Sequence, residues 1–352
     1  MKARIIVLLL ACCGVACSLN AQINIGPIKA PKLTPKEFKP GQLDKLLQSK
    51  TLFVLRPQDE ENIDQIQEIL NEIWTVTDIE LITYEDYGEY TPDPENPMSI
   101  LALEGLTTIV QMNSTTAVHA HYFLRLGMPG DLIQYSEKEL KKMKKKGGTP
   151  KAKYEDLTFA RIELYPTGSI YQEVNSMERS FSGFSDEAID KHLDYIWNEA
   201  VFYNWHWGYL KNALQEVNKT LTDQKVRWLF QYVVEEDALK ALRNQPLYFS
   251  EDILIKYNKW NGDESERHEI DDLFSDYNYP YKILPATELN EMILTSKEPF
   301  YYFSYVKSST DAFYTVINSQ SGEIIYSLYD AVTYNIKPKN LKALAQTIKK
   351  AK

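Results

Sequence analysis

Thiols are almost missing from this chain. Its three cysteines, Cys12, Cys13 and Cys17, all fall within the first 17 of 352 residues. The remainder holds no thiol, which excludes disulfides, a cysteine nucleophile and a zinc–thiolate site there. Histidine is scarce as well, with five residues and no His-Glu-x-x-His pair. Neither a Gly-x-Ser-x-Gly elbow nor a Gly-x-x-x-x-Gly-Lys phosphate loop occurs. The acidic run 261–266 lacks the alternating ligands of a calcium loop and reads as a solvated loop. With only 14 glycines and 16 prolines the chain is neither collagen-like nor low-complexity. Positive charge is in deficit, 39 Lys and Arg against 49 Asp and Glu, for a formal net charge of −10. Such a chain repels phosphate backbones, which excludes general nucleic-acid binding.

What is present is ample core-forming material. Apolar residues make up 44% of the chain, including 24 Tyr, 13 Phe and 6 Trp. At this length two or three domains are expected. Residues 1–21 read as an export signal: Lys2 and Arg4, then an apolar run over 5–17, then Ser18-Leu19-Asn20-Ala21 ahead of Gln22. The ending resembles the export signals of Gram-negative envelope proteins, and it predicts a periplasmic, outer-membrane-associated or secreted product. Leu9-Leu10-Ala11-Cys12 supplies a rival reading, a lipobox with Cys12 lipidated. Removing the signal takes away Lys2 and Arg4 and no acid. Residues 22–43, punctuated by Pro27, Pro31, Pro35 and Pro40, read as a Pro/Lys-rich tether.

An internal echo organises the rest. Residues 45–54 lie on 240–249 at an offset of 195, and each reads as a helix end, a turn and a strand. Ile66, Ile69, Leu70 and Ile73 share the helical spacing of Ile270, Leu273, Phe274 and Tyr277. Residues 82–87 meet 284–289, and 97–103 meet 299–305, both at 202; residues 112–114 meet 317–319 at 205. Five segments in one order predict a duplicated unit of strand, helix, strand, short helix, strand and hairpin. The expected fold is α/β, with α+β as the alternative: two mixed-sheet modules at 44–176 and 245–352, joined by a helical connector at 177–244. The second module closes with a helix at 340–349. Its hairpin runs 312–317, turns at 318–322 and returns over 323–329; residues 165–171 are read as a comparable turn in the first module. In the connector, apolar residues from Ile189 to Leu221 recur every three or four positions, which predicts one long helix capped by Ser185 and kinked at Gly208.

Candidate chemistry is sparse. His119 and His121 flank Ala120 in a predicted strand, so both point to one face and can begin a metal site; a polar strand face is the other reading. Glu89, Asp93 and Glu95 form a local carboxylate group. Residues 138–153 hold eight lysines and one acid. Lys141, Lys142, Lys144, Lys145 and Lys146 are its densest part, a solvated loop or a peripheral contact with an anionic surface. Of the aromatic cluster at 202–209, Trp205 and Tyr209 fall off the apolar stripe and are the candidates for exposed contact with protein or glycan.

The closing strand and turn, Asn318-Ser319-Gln320-Ser321-Gly322-Glu323-Ile324-Ile325-Tyr326, resembles the closing hairpin of small α/β modules in curli-assembly and penicillin-binding-protein-activator lipoproteins. The resemblance covers about the last hundred residues. It implies a binding or assembly role and carries no catalytic residues. The expectation is an exported, non-enzymatic binding or assembly module for an envelope protein or glycan, without a cofactor. The alternative is a hydrolase on an unfamiliar scaffold that uses carboxylates, with or without a metal at His119 and His121.

Overall fold

The fold is α/β, two six-stranded mixed sheets with helices on their faces. The computed structural model describes residues 22–28, 36–90, 96, 98–112, 115–145, 154–177, 179–180, 183–258 and 261–352; the expected export signal lies outside them.

The first module runs β1 (Ile23–Ile25), α1 (Gln42–Leu47), β2 (Lys50–Val54), α2 (Ile63–Ile73), β3 (Asp78–Ile82), α3 (Tyr84–Glu89), β4 (Met98–Met112), β5 (Thr115–Leu132), α4 (Glu137–Lys145), β6 (Tyr154–Glu163) and α5 (Gly168–Ser176). A short hairpin, β7 (Arg179–Ser180) and β8 (Gly183–Phe184), leads to α6 (Asp186–Asn198) and α7 (Trp207–Thr222). The second module runs β9 (Val233–Val234), α8 (Glu236–Ala241), β10 (Leu247–Ser250), a small ribbon of β11 (Ile255–Lys256) and β12 (Glu266–Arg267), α9 (Ile270–Leu273), β13 (Tyr281–Leu284), α10 (Ala286–Thr295), β14 (Tyr301–Ser308), β15 (Asp311–Asn318), β16 (Ile324–Asp330) and α11 (Pro338–Lys350).

The two sheets share one topology. The strand order is β3-β2-β4-β5-β6-β1 in the first and β13-β10-β14-β15-β16-β9 in the second. In each, the second strand pairs parallel with both neighbours and the remaining pairs are antiparallel. Register refines the echo. Phe53 pairs with Leu81 and Leu101, and Phe249 with Ile283 and Phe303. The equivalent of Phe53 is therefore Phe249, one residue beyond the sequence match; both are fully buried, and a one-residue slip would turn Tyr248 inward instead. The match of Met112 with Ile317 fails, because Met112 ends β4 whereas the counterpart of β15 is β5; Asn113 and Ser114 lie outside the described residues.

Module boundaries also move. Residues 23–25 form an edge strand on β6, and buried Gln22 accepts hydrogen bonds from Ser304 (3.0 Å) and Thr315 (3.2 Å), so the expected tether is part of the sheet here. β9 and α8, assigned to the connector by sequence, are the second module's counterparts of β1 and α1. The expected turn at 165–171 is instead the approach to α5 and its first turn. The acidic run at 261–266 is docked at its middle, where a Cβ on Gly168 would stand 2.1 Å from the Gly262 carbonyl and Tyr203 donates to Glu264 (2.7 Å), while Asn261, Ser265 and Glu266 are solvated as expected.

The predicted long helix is two. Residues 199–206 leave helical geometry because their backbone finds tertiary partners: Thr167 donates to Val201 (2.9 Å), Tyr203 to Tyr165 (2.9 Å), and Asn204 bridges Tyr165 and Glu163. Arg56, 1% exposed, donates to the carbonyls of Trp197 and Glu199 and so caps the end of α6. Gly208 opens α7 without kinking it; a Cβ there would lie 2.8 Å from the Asn290 carbonyl, so it permits close crossing with α10. Leu210, Leu214, Val217 and Leu221 of α7 join a core shared with α2, α10 and both sheets.

Candidate functional site

Alternation along the strands gives each sheet two faces. In the first, Phe53, Leu101, Leu126, Ala160 and Ile25 align across the ladder, all buried, and share a core with α2. The next row, Leu52, Ile100, Gly127 and Thr158, points to the opposite face. Strand order explains why α3 lies there: β2 to β3 and β3 to β4 cross in opposite directions, and right-handed crossovers then set α2 and α3 on opposite sides.

Between α3 and this row lies an open cleft of about 400 Å³. Tyr87 and Tyr90 form one wall, Met128, Pro129 and Tyr154 another, with Ile100 and Gly127 lining it as well. Arg125 lies between Glu104 (Nε–Oε1 2.7 Å) and Asp156 (Nη1–Oδ1 3.0 Å) and also donates to Thr158 (3.1 Å). Burial opposes its charge, but the two carboxylates outweigh burial and hold its pKa above the usual value. Glu155, also on the wall, pairs with exposed Lys39 at 3.0 Å. A Cβ on Gly127 would fall 2.2 Å from Arg125 Nη1 and 3.0 Å from the Leu157 carbonyl, so glycine is what lets the guanidinium cross the floor.

The second sheet repeats this row as Tyr248, Tyr302, Ile317 and Ile324. There the face is closed by α7 and α10. Tyr302 is fully buried and donates to Asn212 of α7 (3.0 Å), which in turn donates to the Ser319 carbonyl (2.9 Å). Where one copy has Tyr302, Ile317 and Ile324 packed with a helix, the other has Ile100, Gly127 and Thr158 in and beside a cleft.

No known protein family, curated protein or solved structure matches this chain.

The residues singled out by sequence scatter. Trp205 is 8% exposed; its indole donates to Asp59 (2.9 Å) and carries the Arg56 guanidinium 4.8 Å above its ring, so it is a packing residue, not an exposed platform. Tyr209 packs edge-on against Tyr302 and lines a small cavity of about 30 Å³. His119 and His121 meet at the seam between modules, hydrogen-bonded through Nδ1 to Ser309 (3.1 Å) and Ser308 (3.0 Å). Ser308 donates to Glu163 (2.6 Å), which is paired with Arg161. Burial lowers the His121 pKa, which favours the neutral ring. Among the described residues no group of three or more His, Cys, Asp or Glu is placed to hold a metal. Lys141, Lys142 and Lys145 are exposed on α4, which makes this stretch helical rather than a loop; Lys144 belongs to the same helix, while Lys146 lies outside the described residues. Glu89 is exposed at the end of α3, and Asp93 and Glu95 lie outside the described residues.

Two buried polar groups escaped the sequence reading. Tyr122 and His192 are linked Oη to Nε2 at 2.6 Å, with Glu173 on Nδ1. Lys307 is 1% exposed, with Nζ 3.9 and 4.2 Å from the ring centres of Tyr257 and Tyr171. A lysine inside the apolar strand 301–308 was the only local sign of it.

Proposed function

We propose that the protein is a non-enzymatic binding module of the bacterial envelope whose tyrosine-walled cleft seats a helical segment of a partner protein. One observation carries this: in the duplicated sheet the equivalent row is the seat of a helix, α7. The cleft offers what an amphipathic helix needs: aromatic walls, apolar Ile100 and Met128, and the charged Glu104–Arg125–Asp156 group across the floor. Its carboxylates, Glu104, Glu155 and Asp156, outnumber the single arginine and favour a helix that carries Lys or Arg. The apolar run at 5–17, with its basic start and small-residue end, supports export.

The test uses the exported full chain with a photo-crosslinking residue in place of Tyr87. The expected adduct is a discrete protein whose linked peptide has apolar residues at helical spacing and a basic residue among them. Gly127→Val, whose side chain would collide with the Arg125 guanidinium on the cleft floor, and Tyr154→Ala each reduce adduct yield at least about tenfold, with Tyr154→Ala serving if Gly127→Val folds poorly. Adducts only to polysaccharide, or adducts unchanged in both variants, would remove the helical-partner reading.

A further inference from the structure

In this acidic chain four lysines share one face of a short helix. Lys138, Lys141, Lys142 and Lys145 of α4 are all exposed. Their spacing of i, i+3, i+4, i+7 puts them on one helix face, a stripe roughly 10 Å long at 1.5 Å per residue. Leu140 and Met143, on the opposite side, are half-buried. The helix is fixed by a capping box: Ser136 donates through N and Oγ to Glu139 (2.8 and 2.7 Å), and Glu139 N donates to Ser136 Oγ (3.4 Å). One of its two acids is thus spent on the cap. The other, Glu137, is 3.9 Å from Lys141 with both side chains exposed, a weak pair.

β5 leads into this helix with two bare apolar side chains, Leu132 at 58% and Ile133 at 38% exposure. Ile133 precedes Lys138 by no more than roughly 17 Å of chain. The duplication isolates the feature: where the first module inserts residues 133–153 between β5 and β6, the second turns directly through 319–323. An insertion on a repeated scaffold, basic on one helix face and apolar at its root, is added surface that the fold does not need.

We propose that α4 and the Leu132–Ile133 corner form a peripheral docking surface for a membrane leaflet rich in anionic lipid. The lysine stripe lies over the headgroups while Leu132 and Ile133 enter the interface. This proposal is independent of the cleft and its partner.

The test is flotation of the purified protein with vesicles of phosphatidylcholine alone or mixed with phosphatidylglycerol, at low and high salt. Binding is expected to the mixed vesicles only, and to fall several-fold as salt shortens the screening length. Changing Lys138, Lys141, Lys142 and Lys145 together to Glu is expected to lower the bound fraction at least about tenfold, with an unchanged melting curve because all four side chains are in solvent. L132S/I133S is expected to lower it severalfold while leaving binding to soluble heparin intact. Equal binding to both vesicle types, full binding by the four-lysine variant, or heparin and vesicle binding that are both indifferent to L132S/I133S would overturn the proposal, the last by reducing the stripe to a generic polyanion contact.

Discussion

Lys307 shows how far one residue can depart from its ordinary chemistry. Among the described residues no carboxylate lies within ion-pair distance of it, and two tyrosine rings flank its ammonium. Burial pushes its pKa down to about 7, against a partial upward pull from the Glu264 charge. In the unfolded chain the same amine titrates near 10.5. Between these values the unfolded state binds more protons, so Lys307 adds stability as pH rises from about 7 toward 10 and loses that contribution as pH falls. Lys307→Met is therefore expected to be more stable than the parent at pH 6, by a few kcal/mol, with the advantage shrinking by pH 9. Paired thermal melts across that range measure it; a difference constant with pH would show the amine to be charged throughout. Trp205 gives the complementary lesson. Off the apolar stripe by periodicity, it is buried because Asp59, on the turn after β2, reaches its indole. Helical periodicity describes only the neighbours along the same helix, and here there is no helix.

At the scale of elements, the apolar stripe from Ile189 to Leu221 is broken into two helices, and its first residue, Ile189, remains 38% exposed. Each half is a good amphipathic helix, but the residues between them gain backbone partners in the segment after β6. Ser185 was legible: its hydroxyl accepts from Ala188 N at 3.2 Å at the start of α6. Ser185→Ala is expected to cost about 1 kcal/mol, read as a lower chemical-denaturation midpoint. The cleft was not legible at this scale. It depends on Gly127, a residue without a side-chain pattern to read, and on strands β4, β5 and β6 meeting in one register. For α4 the sequence reading stops at the lysine count; the Ser136–Glu139 capping box starts the helix, and the helix then gathers four lysines on one face.

For the whole molecule, α7 is the shared part. Its buried leucines pack with α2 of one module and α10 of the other, and Asn218 accepts from Thr75 N (2.7 Å) while Gln215 donates to the Gln320 carbonyl (2.9 Å). Two modules with a common helix are expected to melt together. Leu214, fully buried, is the test position: Leu214→Ala should lower stability by about 2–5 kcal/mol in a single calorimetric transition. Two separated transitions, with only one shifted, would mean the modules fold independently. The modules offer different faces to this helix, the α2 side of one and the α10 side of the other. One copy's seat is consequently filled from within, and the other's stays open.

By itself the sequence determined the α/β class, the repeated order of elements and most helix faces, because alternation and helical periodicity are local consequences of burying one side of a strand or helix. Tertiary structure alone decided the register between copies, the break before α7 and the location of the cleft. Each of these rests on backbone pairing or close approach between residues far apart in the chain, such as Thr167 with Val201, Gly208 with Asn290, and Gly127 with Leu157. No local spacing encodes a partner that only folding brings near.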